Sequence, residues 1–216
     1  MRPHVVVLPF FLMLQAFAGL ALAEERDAPS HVQAREQVNV LEIFRLLPAT
    51  IFENTLEGLS ADEKERLLDY GKSEYWFLMP DTPDSPDSLE LISLPFGDTR
   101  VFVHVYREEG GGTLALTGSK GEGGICTLEL WRMNRGHFAP IDAPPEPSVA
   151  DFFAKGNKVP KDVQTSILFC LDGEGLEAQA VFWKKQGRAY VPVDHEVRYE
   201  WNGKKFEKQI RDKEKQ

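Results

Sequence analysis

The chain has 216 residues, 34 acidic against 25 basic, and a net charge of -9. That balance excludes nucleic acid as a partner, because phosphate binding needs a basic footprint. Its apolar content of 42% is enough for a packed core and excludes global disorder.

The first segment reads as an export signal. Arg2 precedes a continuous apolar run from Val5 to Leu22, and Ala21-Leu22-Ala23 lies just before Glu24-Glu25-Arg26-Asp27. This is the order of basic start, apolar middle and small-residue cleavage site. Residues 1-23 are therefore expected to be a signal peptide, cut after Ala23. The competing reading is an N-terminal anchor. No later stretch is apolar for long enough to cross a membrane as a helix. Cleavage would remove one basic group, leaving 24 against 34 acids. Residues 24-37 are charged and polar, and are expected to form a flexible N-terminus.

A folded domain is expected over residues 38-208, with 209-216 as a charged tail. From Val38, apolar residues at spacings of three and four (Val40, Leu41, Phe44, Leu47, Ile51 and Phe52) give a helical face interrupted by Pro48. Ser60-Ala61-Asp62-Glu63 is a capping box, and Gly71 is a left-handed stop. The buried stripe of that helix is expected at Leu67, Leu68 and Tyr70.

Strands follow. Tyr75 to Met79 is the first, ending in an alternation of Pro and Asp from Pro80 to Ser88. Asp81, Asp84 and Asp87 there lack the spacing of a calcium loop, so a solvated loop is expected. Leu89-Leu94 and Arg100-Arg107 are strands around Pro95-Phe96-Gly97-Asp98, with His104 as a packed or hydrogen-bonded strand histidine. Thr113-Thr117 lies between glycine clusters that read as turns, since no phosphate-cradle spacing is present. Ser148 to Asp151 signals a second cap, with Phe152 and Phe153 as the apolar side, plugging one end of the sheet. Thr165-Leu171 is apolar on both faces and is expected to be central. Glu177-Trp183 and Val197-Trp201 complete the set.

The most informative pattern occurs twice. Trp131 to Asp142 and Trp183 to Asp194 share the frame W-x6-[FY]-x-P-x-D, at an offset of 52 residues. It reads as a repeated hairpin in which a strand reaches the Trp, reverses, and returns an aromatic before Pro ends pairing. Tyr199 to Phe206, with Asn202-Gly203, is a shorter relative. That stretch resembles the closing hairpin of many bacterial exported proteins. The fold class is therefore α+β: N-terminal helices beside a largely antiparallel meander of about nine or ten strands, the alternative being two small β subdomains split near Pro144-Pro145.

Two cysteines, Cys126 and Cys170, form the whole complement. In an exported chain this predicts one disulfide, worth about 2-4 kcal/mol. No metal motif, cofactor fingerprint or hydrolase signature is present in the sequence. The candidate binding residues are Trp131, Phe138, Asp142, Trp183, Tyr190 and Asp194 of the repeated frames. The aromatics could stack on a glycan or peptide, or simply pack. Asp142 and Asp194 could converge as paired carboxylates if the hairpins are pseudo-symmetric, or could accept backbone amides. Asp194-His195-Glu196 is the densest titratable cluster, although alternation points His195 away from its neighbours. The leading expectation is a non-enzymatic binding module, periplasmic or secreted, acting on a protein, peptide or glycan of the cell envelope. The alternative is a periplasmic hydrolase using the paired carboxylates.

Overall fold

A computed structural model describes residues 39-48, 59-79, 87-94, 99-157, 160-173 and 175-213. The signal segment, the 24-37 stretch, Ile51 and Phe52 of the first helical face, residues 80-86 of the acidic loop and residues 95-98 lie outside the described residues. All described residues belong to one compact unit, Gln37-Gln216.

Two short helices open the unit. In α1 (Val40-Leu46), the Asn39 side chain accepts the Leu41 amide at 2.9 Å. In α2 (Ala61-Tyr70), Ser60 and Glu63 cap each other reciprocally, and Gly71 at φ +72° returns its amide to Leu67. The buried face of α2 is Lys64 and Leu67 with Leu68 beside them, and Tyr70 is 75% exposed. Tyr70 was expected in the stripe. With Lys64 on the buried side, the i, i+3, i+4 row continues to Gly71 and turns Tyr70 outward.

Eleven strands follow among the described residues, and every pairing is antiparallel. The strands form two sheets rather than one meander. The first runs β1 (Trp76-Leu78), β2 (Ser88-Ser93), β3 (Arg100-Arg107), β4 (Thr113-Lys120), β5 (Cys126-Asn134) and β6 (His137-Ile141), in that order. The second is ordered β11 (Phe206-Asp212), β10 (His195-Trp201), β8 (Gly175-Lys184) and β7 (Gln164-Asp172), with β9 (Gly187-Ala189) also paired to β8.

Alternation along the first sheet decides what covers it. Leu89, Leu91, Val101, Val103, Val105, Ala115 and Trp131 pack with the helices. Phe102, Leu114, Leu116 and Leu130 face the other way, onto Leu171, Leu176, Ala178, Phe182, Val197 and Tyr199 of the second sheet. The result is three layers: helices, first sheet, second sheet.

Cys126 at the start of β5 is bonded to Cys170 in β7, with Cα atoms 5.2 Å apart, so the disulfide ties one sheet to the other. β7, expected to be central, is an edge strand of its sheet. It is apolar on both faces because β4 and β5 pack against it. At this crossing Gly118 is required inside β4, not in a turn: a Cβ there would lie 2.7 Å from Leu171 Cβ and 3.2 Å from the Thr127 carbonyl.

Candidate functional site

The two copies of the repeated frame fold into hairpins of different register. In the first, Arg135 and Gly136 turn at φ +51° and +84°, and Trp131 pairs with Pro140 of its own frame. In the second, Lys184 pairs with Gly187, Trp183 pairs with Arg188, and the ladder stops at Ala189, before Tyr190 and Pro192. Equivalent letters therefore occupy inequivalent places.

Trp131 is buried against the helix side, and its Nε1-H donates to Thr117 Oγ1 at 3.1 Å. Phe138 is half-buried against the same core. Trp183 is half-buried and donates to Ser166 Oγ at 3.1 Å. Tyr190 is 92% exposed, beside a hollow lined by Ala180, Phe182, Arg188 and Val191. In the third hairpin, Trp201 Nε1-H donates to the Arg107 carbonyl at 2.8 Å and its ring lies 4.9 Å from Phe206. Tyr106 meets Phe206 edge-on at 5.4 Å. Of these seven rings, Trp131, Trp183, Trp201, Phe206 and Tyr106 each have a hydrogen-bond or ring partner, Phe138 packs on the core, and Tyr190 stands in solvent.

The carboxylates separate in role. Asp142 is exposed at a shallow hollow with Arg132, Pro140 and Ile141. Asp194 is a structural tie. The β8 ladder with β10 ends at Ala178-Val197, and that with β9 begins at Phe182-Ala189. Residues 190-194 leave the sheet across this gap. The 3-10 turn Val149-Phe152 docks there: the Asp194 amide donates to the Phe152 carbonyl, and its carboxylate accepts from the Ala154 amide at 2.9 Å and the Asn157 side chain at 2.7 Å. Those donors hold its carboxyl below the usual carboxylate range, Ala154 first. His195 Nδ1 lies 3.0 Å from the Asp151 carbonyl, and Glu196 lies 3.8 Å from Arg198. The cluster fastens the plug to the break in the sheet.

His104 lies between the sheets. Desolvation lowers its pKa, and a hydrogen bond to the Asp172 backbone partly offsets that. The two residues come from β3 and the β7 terminus, as a packed strand histidine would require.

A contiguous apolar surface does exist, but away from the repeat. The second sheet packs over β3, β4 and β5, and β1 and β2 project beyond it. On β1, Trp76 is fully buried toward the helices, so Phe77 points to the opposite face, and the exposed Tyr75 and Met79 flank the strand on either side. Phe77 pairs with Ile92, the Leu94 amide donates to the Tyr75 carbonyl, and the Met79 amide donates to the Glu90 carbonyl. These pairings set Tyr75, Phe77 and Met79 beside Leu94, Ile92 and Glu90 in two adjacent rows. Tyr75 and Phe77 are each 39% exposed, Met79 37% and Leu94 49%.

The outer edge of β1 is closed to another strand. The Leu78 amide donates to the Gly71 carbonyl, Ser73 exchanges bonds with Trp76, and Lys72 bridges to Phe77. What this shelf offers is its face, not its backbone. Its signal in the sequence was Tyr-Trp-Phe-Leu-Met: five consecutive apolar residues in a strand at the start of a sheet demand cover on both faces, and the helices supply only one.

Set against protein-family models, curated proteins and solved structures, the chain matches none. Among the described residues no cluster of three or more metal-ligating side chains occurs, and no helix is long and apolar enough to cross a membrane.

Proposed function

We propose that this chain is an exported, non-enzymatic binding module that takes its partner on the β1-β2 shelf. The observation that carries the reading is the shelf itself. Four apolar side chains in adjacent rows, each more than a third exposed, stand on a sheet face that is otherwise covered. The disulfide supports an oxidising compartment, periplasmic or extracellular. The net charge of -9 favours a protein, peptide or glycan over any polyanion.

The alternative is a hydrolase using Asp142 with Asp194, or the Asp194-Glu196 pair; the binding reading is preferred because the two hairpins differ in register and the Asp194 carboxylate is engaged with Ala154 and Asn157. The experiment is affinity capture on the immobilised protein from its own envelope extract, using three forms: wild type, Phe77→Ser/Leu94→Ser, and Trp183→Ala/Tyr190→Ala. Capture should survive the hairpin substitutions and vanish with the shelf substitutions. Equal capture by wild type and the shelf variant would reject the site.

A further inference from the structure

We propose that the free edge of β11 is an interface between two copies of this chain, joined strand to strand in antiparallel fashion. The inference goes beyond the binding reading above and uses none of the shelf residues.

The other borders of the two sheets are shut among the described residues. Residues 71-73 occupy the outer edge of β1, Pro140 interrupts the outward row of β6, β9 has only three residues, and β7 is wedged against β4 and β5 behind the disulfide. β11 differs. It pairs with β10 along all seven of its residues, and the bonds that bracket the ladder, from the Asn202 amide to the Lys205 carbonyl and from the Lys213 amide to the Asp194 carbonyl, fix which way each residue turns. Glu207, Gln209 and Arg211 therefore turn their backbone toward β10. Phe206, Lys208, Ile210 and Asp212 turn theirs outward, where no backbone of a described residue meets them.

Charge on an open edge ordinarily keeps other strands away, but the charges of β11 match a second β11. Pairing the whole strand with its own copy puts the two-fold axis at Gln209 and sets Glu207 of each copy opposite Arg211 of the other. Within the chain Glu207 accepts from Asn202 and Arg211 donates to Glu200. These are surface contacts that leave both groups with hydrogen-bonding capacity to spare. Lys208 is drawn back from the edge by Asp151, 2.6 Å away. A slip of the pairing toward Lys208 would set that residue against itself, and a slip toward Ile210 would carry Phe206 and Glu207 past the end of the partner strand. An arbitrary extended peptide would meet the same backbone row without the reciprocal charges, and this favours the second copy. A single strand pair buries less than about 1,200 Å² in total, so the dimer is reversible.

The test is sedimentation equilibrium of the purified protein over a concentration series, which should show monomer and dimer in exchange. Ile210→Pro removes an outward amide and no bond of the β10 ladder, and should weaken association about 10-fold or more with little change in melting temperature. Glu207→Arg, at a half-exposed position, sets like charges across the axis and should weaken association about 5-fold. Glu207→Arg/Arg211→Glu restores the match and should recover it. A monomer at every concentration, a dimer indifferent to either single substitution, or a dimer dissolved by Phe77→Ser/Leu94→Ser instead would overturn the inference.

Discussion

Lys64 occupies an apolar stripe at 5% exposure and is tolerated there because its ammonium replaces lost water with backbone. Its Nζ donates to the Arg45 carbonyl at 2.7 Å and to the Leu47 carbonyl, satisfying the end of α1, and it lies 5.4 Å from the Phe44 ring centre. Burial still lowers its pKa to about 8. Lys64→Met should cost about 1-3 kcal/mol in urea unfolding, since two buried carbonyls lose a donor. Because the folded pKa lies below the unfolded value, the unfolded chain holds more protons between about pH 8 and 10.5, and this group adds stability as pH rises through that window. The variant should flatten that rise.

His104 behaves in the same sense at lower pH. Its folded pKa is depressed, so its neutral form supports the fold above about pH 6.5, and stability falls as pH drops below that value. His104→Leu should remove this part of the acid limb. A slope left unchanged by the substitution would show that His104 takes up its proton equally in the folded and unfolded states. At the residue scale the sequence was legible where chemistry is local: the Ser60-Glu63 box, the Gly71 stop and the packed character of His104 follow from neighbours in the chain. Lys64 was not legible, because its partners lie 17 and 19 residues away on another helix.

Among the elements, strand positions followed from alternation and turns, and registers did not. The repeated frame foretold two hairpins and their order. It did not foretell that the second turns two residues earlier relative to its Trp, because Gly136 and Gly187 take their positive φ at different frame positions. In the third hairpin the Asn202 amide bonds to the Lys205 carbonyl, which puts the turn on Gly203-Lys204, one residue past the expected Asn-Gly. Arg135 is the only described non-glycine at positive φ. Arg135→Asn should therefore stabilise the first hairpin by about 0.5 kcal/mol, since Asn-Gly suits such a turn. A lower melting temperature would mean that the Arg135 side chain contributes more than its strain costs. β7 was misplaced for a related reason: a strand apolar on both faces can be central, or it can be an edge wedged under another sheet, and composition is the same in both.

In the whole molecule, successive antiparallel strands with hairpin turns read first as one meander, and Pro144-Pro145 marked where the alternative, two small β subdomains, would divide. The strands do divide into two sheets there, and what the sequence left hidden is that the sheets pack on each other around a shared core. The disulfide was foreseen, its role in joining the layers was not. With the cysteines 44 residues apart, the chain-entropy model gives the bond roughly 4 kcal/mol. Cys126→Ser/Cys170→Ser should lower unfolding stability by about 2-4 kcal/mol, and a loss under about 1 kcal/mol would show that inter-sheet packing alone fixes the layers. Gly118→Ala tests the same junction from the packing side, at about 1-3 kcal/mol, because neither Leu171 nor the Thr127 carbonyl can yield without moving a strand.

The central claim is that the β1-β2 shelf is covered by a partner where the protein works. Met79, 37% exposed in the isolated chain, reports on it, and Met133, packed against the helix-side core, is the internal control. The measurement is the rate of peroxide oxidation of Met79 in the purified protein and in a whole extract of the cells that make it, normalised to Met133. The account predicts a Met79 rate slowed several-fold in the extract and restored by Phe77→Ser. The same normalised rate in both would contradict it.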